Sequence, residues 1–297
     1  MKPVSLQLDY LAGAQHTGYL VAKAKGFYKD AGIDVGITEG QGSVTTGTLV
    51  GQGKADFGIM GAGEILAAAS KGIPLTAVFT QIQSSPTAIV YNPAKVQLSK
   101  LADLYGHKLG VTLTSTVYKE WLSVAAANHL DRTKIEEVNV GTNLIPAMLA
   151  GDVDAIVAYP YNQGVSLGLQ GLAVKSLMLA DAGEPAIPNS AVVVNSAFAQ
   201  RDPASVKAFV TATKQGWEYT KAHPDEALDI LAAQYPKLNP EAGKQMLPMI
   251  LALMGDAYGR YDEAAWTNLL ELYKSEKLLG SKAITLPDVY NASYLGS

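Results

Sequence analysis

Strand-like and helix-like segments alternate along the first 80 residues, and this alternation limits the possible folds more than any other feature of the sequence. Apolar side chains at Leu20, Phe27 and Tyr28 follow a 3.6-residue period, which predicts a helix over residues 18–31. Strands are predicted over residues 4–9, 33–38, 55–60 and 75–80, with another helix over residues 64–71. This order is typical of an α/β fold with a mostly parallel sheet and helices on both faces.

Two polar segments interrupt the alternation and predict two lobes. Residues 81–86 are polar and end in Pro86, after which a second series of strands and helices begins. Residues 182–189 are rich in Pro and Gly and predict a return crossing, and four helices are expected beyond Pro203. We therefore expect lobe 1 at residues 1–84 and 190–297, and lobe 2 at residues 85–189. A ligand cleft that closes by hinge motion is expected between them.

Three sequence blocks resemble a known family in both order and spacing. The first covers residues 9–35 (DYLAGAQHTGYLVAKAKGFYKDAGIDV), and the second joins GKADFGI at 53–59 to KGIPL at 71–75. The third is LADLYGHKLGV at 101–111. Together they resemble the thiamine-pyrimidine-precursor, sulfonate and nitrate family of periplasmic solute-binding proteins of ABC importers.

The resemblance implies a type II periplasmic-binding-protein fold, with two Rossmann-like lobes joined by two crossings. It implies an extracytoplasmic protein in its mature form, with the signal peptide removed, and the two crossings lead us to expect a monomer. Such a protein would deliver a small planar N-heterocycle, similar to a pyrimidine or thiamine precursor, to the membrane subunits of an ABC transporter. Neither catalysis nor a cofactor is expected. A binder of a sulfonate, nitrate or another small organic solute is the alternative within the family.

Two further alternatives lie outside solute binding. His16 resembles a histidine in the first block of fungal pyrimidine synthases that share this fold, so an enzyme has to be considered. Those enzymes carry a cysteine-rich motif and this chain has no cysteine, which disfavours the enzyme. A cytosolic ligand-sensing domain is disfavoured because such domains are normally fused to a DNA-binding helical segment, and none is recognisable here.

Composition excludes several classes of partner and site. The net charge is −4 and no Lys/Arg run occurs, so a nucleic-acid partner is not expected. No apolar run approaches the roughly 20 residues that a membrane-spanning helix needs. The absence of cysteine excludes disulfides and thiolate ligands, and none of the four histidines has a partner at metal-ligand spacing. We therefore expect no metal site.

The candidate ligand contacts of lobe 1 follow predicted strands, where open α/β sheets bind ligands. The loop at residues 39–44 contains Gly40, Gly42 and Gly47 in the pattern G-x-G-x-x-x-x-G, which departs from the dinucleotide fingerprint. Its amides and Ser43 are instead expected to face the ligand from a helix amino end. The full set predicted for this lobe is Asp9, Tyr10, Gln15, His16, Gly40, Gln41, Ser43, Gly61, Glu64, Gln83 and Asn189.

The candidate contacts of lobe 2 are hydroxyl and aromatic side chains. Ser115 is predicted to cap a helix, and the tyrosines offer flat faces with a hydroxyl for a planar ligand. Gln163 stands where pyrimidine-precursor binders have a carboxylate, so an amino group of the ligand would meet an amide there. The predicted set is Thr114, Ser115, Thr116, Tyr118, Tyr159, Tyr161 and Asn162.

The positions of the arginines favour a neutral ligand. An oxyanion binder would be expected to place an arginine in the cleft. The chain has Arg132, Arg201 and Arg260, and none falls in a predicted cleft loop. A neutral, planar, heteroaromatic ligand is therefore the expectation.

Overall fold

The chain forms two compact α/β units. A computed structural model describes residues 1–113, 115–256 and 258–295. Unit 1 consists of residues 1–84 and 187–297, and unit 2 of residues 85–186. Each unit contains one five-stranded mixed sheet with helices packed on it, so the predicted α/β class is confirmed.

The elements are numbered in chain order. The strands are β1 Lys2–Gln7, β2 Ile33–Thr38, β3 Phe57–Gly61, β4 Leu75–Ile82, β5 Ala88–Tyr91, β6 Lys108–Val111, β7 Glu136–Asn139, β8 Ala155–Ala158, β9 Lys175–Met178 and β10 Ser190–Asn195. The helices are α1 Thr17–Ala24, α2 Phe27–Asp30, α3 Ser43–Gly51, α4 Ala62–Ser70, α5 Thr116–Ala127, α6 Leu144–Ala150, α7 Val165–Leu169, α8 Ser196–Arg201, α9 Pro203–Ala222, α10 Pro224–Gln234, α11 Pro240–Met254, α12 Glu263–Ser275 and α13 Leu286–Val289.

The sheet of unit 1 has the strand order β2-β1-β3-β10-β4. Strands β1, β2 and β3 pair in parallel, whereas β10 is antiparallel to both of its neighbours. The sheet of unit 2 has the order β7-β6-β8-β5-β9, with β5 as its antiparallel strand. In both sheets the parallel strands end at one edge, so the loops that follow them are collected there.

The carboxy-terminal helices pack on unit 1. Phe209 of α9 stacks on Phe57 of β3 with ring centroids 3.9 Å apart, so this helix covers the centre of the sheet. Gly18 of α1 and Gly216 of α9 allow these two helices to approach closely. A Cβ atom at Gly216 would lie 2.2 Å from the Gly18 carbonyl oxygen.

Three predicted boundaries were wrong. The helix expected over residues 18–31 is divided into α1 and α2 because Gly26 adopts a left-handed φ of 82°. Strand β4 continues to Ile82, so Gln81 is a buried strand residue and does not belong to the crossing. Residues 187–189 belong to unit 1, where the Asn189 N–H donates to the Ile82 carbonyl.

Candidate ligand-binding loops

The register of the unit 1 sheet brings the predicted contacts of that unit to one edge. The parallel strands β1, β2 and β3 all end there, while the antiparallel strand β10 begins opposite the ends of β3 and β4. The residues that come to this edge are Asp9, Tyr10, Gln15, His16, Gly40, Gln41, Ser43, Gly61, Glu64, Gln83 and Asn189. Their contact with a ligand remains a prediction.

Asp9 and His16 form a hydrogen-bonded pair in the loop after β1. His16 Nε2 lies 2.7 Å from Asp9 Oδ1, so the imidazole N–H donates to the carboxylate. The imidazole is fully buried, whereas the Asp9 side chain keeps 29% of its surface exposed. Among the described residues, His16 Nδ1 has no hydrogen-bond partner. Asp9 is therefore the accessible member of the pair, and the buried His16 donates a hydrogen bond to its carboxylate.

Tyr10 is the large aromatic side chain that this edge leaves uncovered. It is 60% exposed and follows Asp9 directly, beside Leu11, which is also exposed. Most buried tyrosines of unit 1 serve the core, as Tyr19 and Tyr28 do on α1 and α2. An exposed ring next to a carboxylate can stack on a planar molecule while the carboxylate accepts its N–H groups.

The glycine loop after β2 binds the protein's own backbone. The N–H of Gly40 donates to the Tyr10 carbonyl at 2.9 Å, and the N–H of Gly42 donates to the Asp9 carbonyl at 2.6 Å. The expectation that these two amides face a ligand was therefore wrong, because the loop after β1 already uses them. Gly42 caps α3 with a φ of 107°, a region that favours glycine. Gln41 between them is exposed.

The remaining polar groups at this edge tie the strand ends together. Ser43 Oγ accepts from the Gly61 N–H at 3.0 Å, and the Asn189 carbonyl accepts from the Ala62 N–H at 2.8 Å. Glu64 lies in the first turn of α4, where its carboxylate covers Gly61 so closely that a Cβ on that glycine would lie 2.2 Å from Oε2. These contacts hold the edge in one shape.

Gln83 lies one residue beyond β4, where its side-chain amide is used by the surrounding backbone. Its Nε2 donates to the Thr80 carbonyl at 3.0 Å and to the Arg260 carbonyl at 3.1 Å. The side chain therefore stabilises the end of β4, and its contact with a ligand remains a prediction.

In unit 2, the loop between β6 and α5 contains the predicted hydroxyl contacts. Ser115 caps α5, as predicted, by accepting from the Tyr118 N–H at 3.2 Å, and it also donates to the Thr112 carbonyl at 2.7 Å. Thr116 is the first residue of the helix. Thr114 lies outside the described residues.

The hydroxyl of Tyr118 is hydrogen-bonded within a polar cluster of unit 2. Its hydroxyl donates to Glu137 Oε2 at 2.8 Å and accepts from Arg132 Nη2 at 2.9 Å. Burial of the Glu137 carboxyl opposes ionisation, but hydrogen bonds from Arg132, Trp121 and Tyr118 outweigh it and hold its pKa below the ordinary value. The cluster fixes the hydroxyl of Tyr118, so any ligand contact by this residue would come from the ring face.

The loop after β8 presents a pair of stacked tyrosines. The rings of Tyr159 and Tyr161 are nearly parallel, with centroids 5.6 Å apart. Gln163 Oε1 accepts from the Tyr159 N–H at 3.1 Å, so this amide shapes the loop. Tyr161 is buried, Tyr159 is half-buried and Asn162 is exposed.

A buried carboxyl pair in unit 2 was not found from the sequence. Glu120 of α5 is only 3% exposed, and its Oε2 accepts from Ser85 Oγ at 2.6 Å and also from the Thr87 hydroxyl. Glu184 lies against Glu120. Burial and the neighbouring charge and hydrogen bond of Glu120 raise the pKa of Glu184 to about 9. The two glutamates are 64 positions apart in sequence, so no local spacing marked them.

The part of the chain that the structure describes offers neither a three-residue metal cluster nor a membrane-spanning helix. No cluster of three or more His, Asp or Glu side chains there could hold a metal ion. Over the same residues, no helix has both the length and the apolar character needed to cross a bilayer.

The fold resembles that of a solved sulfonate-binding protein. The periplasmic aliphatic sulphonate binding protein SsuA of Escherichia coli superposes with a TM-score of 0.77 over 95% of each chain, at 16% identity. This likeness confirms the predicted periplasmic-binding-protein fold, in agreement with the two α/β units.

A family model identifies the family, and two sequence relatives agree with it. The chain is 28% identical to the 4-amino-5-hydroxymethyl-2-methylpyrimidine phosphate synthase of Legionella pneumophila, over 79% of this chain and 74% of the relative. It is 26% identical to the riboflavin-binding protein RibY of Chloroflexus aurantiacus, over 95% of this chain and 83% of the relative. The family model described as NMT1/THI5 like matches residues 13–227, which is more than half of the sequence. The chain belongs to the NMT1/THI5-like family.

Proposed function

We propose that this protein is an extracytoplasmic solute-binding protein that captures a small, planar nitrogen heterocycle. The ligand class is pyrimidine-like or thiamine-precursor-like, and the protein acts as a monomer without catalysis. The observation that carries the proposal is the exposed Tyr10 ring beside the accessible Asp9 carboxylate at the unit 1 edge. This pairing suits a flat ring that presents N–H donors. The membrane subunits of an ABC transporter are the proposed receiving partner.

Two features support a neutral heterocycle over a sulfonate or nitrate. Arg132 is paired with Glu137, with its Nε 2.8 Å from Oε1, so this guanidinium is already neutralised by a carboxylate. The carboxylate of Asp9 would repel an anion placed at the same edge. The relatives support the same class, since one is named for riboflavin and another for a pyrimidine.

An enzyme of the pyrimidine-synthase type is the second candidate, because one relative is named as such a synthase. The Asp9–His16 pair gives it a specific structural feature, since a carboxylate can orient an imidazole for chemistry. The burial of that imidazole and the lack of cysteine in the chain favour binding without turnover.

A thermal-shift screen followed by mass spectrometry tests both candidates. The probes are 4-amino-5-hydroxymethyl-2-methylpyrimidine, riboflavin, an alkanesulfonate and nitrate. A ligand present at about 100 times its Kd should stabilise the protein by about 2.7 kcal/mol, so a true ligand raises the melting temperature by several degrees. We expect a shift with a heterocycle and an unchanged ligand mass after incubation. A shift with only the sulfonate or nitrate contradicts the ligand class, and a changed ligand mass contradicts the binding role.

Tyr10→Ala should weaken ligand binding, whereas Phe57→Ala should lower the stability of the fold. Tyr10 is exposed, so its truncation should leave the melting temperature almost unchanged but weaken pyrimidine or riboflavin binding by about 1 kcal/mol or more. Phe57 is buried and stacked on Phe209, so its truncation should cost about 3–5 kcal/mol of unfolding free energy. Calorimetric titration of both variants measures the binding affinity, and urea unfolding measures the unfolding free energy. Wild-type affinity in Tyr10→Ala would remove this residue from the site.

A further inference from the structure

Gln81 is a buried amide with a partner at each end. It lies on β4, one residue before the strand ends, and only 1% of its surface is exposed. Its Oε1 accepts from the Tyr19 hydroxyl at 2.7 Å, and its Nε2 donates to the Gln15 carbonyl at 2.6 Å. A buried amide is costly unless both of its ends are paired. Gln81 therefore connects the end of β4 to α1 and to the loop before it.

The group that Gln81 holds belongs to the peptide of His16. The Gln15 carbonyl and the His16 N–H are parts of one planar peptide unit. A hydrogen bond that fixes the carbonyl therefore also fixes the orientation of the His16 N–H. The His16 N–H donates to the Gly13 carbonyl at 2.9 Å. The imidazole of the same residue lies with its Nε2 2.7 Å from Asp9 Oδ1. A continuous set of contacts thus leads from β4 to the accessible carboxylate.

We propose that Gln81 is a positioning residue of the ligand site, holding the Gln15–His16 peptide so that the buried imidazole orients the Asp9 carboxylate. The inference rests on the proposed function for the role of Asp9, but not for the geometry of the loop. It assigns to Gln81 a task beyond packing, because both of its side-chain hydrogen bonds go to α1 and the loop before it.

Three variants separate positioning from general stability. Gln81→Met keeps the length of the side chain but removes both hydrogen bonds. Tyr19→Phe removes one of them. Tyr28→Phe is the matched control, because Tyr28 is an equally buried tyrosine whose hydroxyl bonds Thr213 at 2.8 Å, away from the loop. Each variant loses at least one buried hydrogen bond, so all three should be somewhat less stable.

The readouts are the ring N–H resonance of His16 and the hydrogen-exchange protection of backbone amides 13–17, both in the ligand-free protein. We expect Gln81→Met to shift or broaden the His16 resonance and to lower protection at least tenfold, with a smaller effect in Tyr19→Phe. Tyr28→Phe should leave both signals as in the wild type. Equal protection and an unchanged resonance in Gln81→Met and Tyr28→Phe would overturn the proposal.

Gln81→Glu provides a conservative rescue that depends on pH. A protonated carboxyl can accept from Tyr19 and donate to the Gln15 carbonyl, whereas an ionised carboxylate cannot donate. Protection of amides 13–17, corrected for intrinsic exchange, should therefore be restored at acid pH and lost at alkaline pH. Equal protection at both pH values would contradict the role of the donated hydrogen bond.

Calorimetric titration with 4-amino-5-hydroxymethyl-2-methylpyrimidine and with riboflavin completes the test. For the probe that binds the wild type, Gln81→Met should lose at least tenfold in affinity and Tyr28→Phe less than threefold. Unchanged affinity in Gln81→Met would overturn its role in the site. If the wild type binds neither probe, the proposed ligand class fails, and the ligand-free signals still decide whether Gln81 positions His16.

Discussion

Glu184→Gln should make the protein more stable at pH 8 than the wild type. The carboxyl of Glu184 lies against Glu120, and its Oε1 is buried without a hydrogen-bond partner among the described residues. Burial, followed by the charge of Glu120, raises the pKa of Glu184 to about 9, above its ordinary value. A glutamine at this position neither binds nor releases a proton, so the variant folds at pH 8 without taking up the proton that the unfolded wild-type chain has released.

The sign of the pH dependence follows from proton binding. Between the ordinary glutamate pKa and about 9, the folded protein holds a proton that the unfolded chain has released. The stabilising contribution of this proton is complete below the ordinary pKa and is lost as the pH rises to about 9. The slope is at most about 1.4 kcal/mol per pH unit. With allowance for the solvent-accessible part of the side chain, we expect a loss of about 2 kcal/mol between pH 6 and pH 8.

Urea unfolding at pH 6 and pH 8 measures this difference in the wild type, in Glu184→Gln and in a control. Glu136→Gln is a suitable control because Glu136 is an exposed carboxylate of the same unit, paired loosely with Lys108 at 3.6 Å. The control should keep the wild-type pH dependence, whereas Glu184→Gln should flatten it. If Glu184→Gln retains the full wild-type slope, the proton held by Glu184 does not contribute to the pH dependence of stability.

Gly40→Ala should remove both stability and ligand binding. A Cβ atom at Gly40 would lie 1.9 Å from the Leu8 carbonyl oxygen and 2.8 Å from the Asp9 carbonyl carbon. Both are backbone atoms that cannot rotate away, so the two loops must separate. The separation breaks the hydrogen bonds from Gly40 to Tyr10 and from Gly42 to Asp9. We expect a loss of about 2–4 kcal/mol in unfolding free energy, from overpacking and lost hydrogen bonds.

Gly36→Ala is the matched control for this prediction. Gly36 lies in β2, the strand that leads to the same loop, but the atom nearest to its added Cβ is the Val4 carbonyl oxygen at 3.9 Å. This is an ordinary contact, so the control should remain within about 1 kcal/mol of the wild type. Urea unfolding and calorimetric titration with the pyrimidine or riboflavin distinguish the two variants. Wild-type stability of Gly40→Ala would show that the loops can separate without cost.

Local sequence features were sufficient for the elements that depend on local chemistry. Strand and helix periodicity predicted the α/β class, and the preference for serine at helix N-caps identified Ser115 as the cap of α5. The break at Gly26 was missed because the apolar period continues across it. Only the backbone shows that this glycine adopts a left-handed φ.

The candidate site was predictable as a set of loops, but the role of each group within it was not. Strand ends mark where ligands bind, so Asp9, Tyr10 and His16 could be named from their place after β1. The sequence did not show that His16 is buried beneath Asp9. It also did not show that the amides of Gly40 and Gly42 serve the neighbouring loop.

The sequence by itself determined the family, the α/β alternation and the loops that collect at the sheet edges, because these follow from short periods and short motifs. The tertiary structure alone decided which polar groups meet. Gln81 reaches Gln15 and Tyr19 across more than 60 positions, and Glu120 meets Glu184 across a similar distance in sequence. Such pairs arise because folding brings distant strand ends and helices to one place, where buried polar groups must find partners. No local sequence pattern predicts which distant groups will form these pairs.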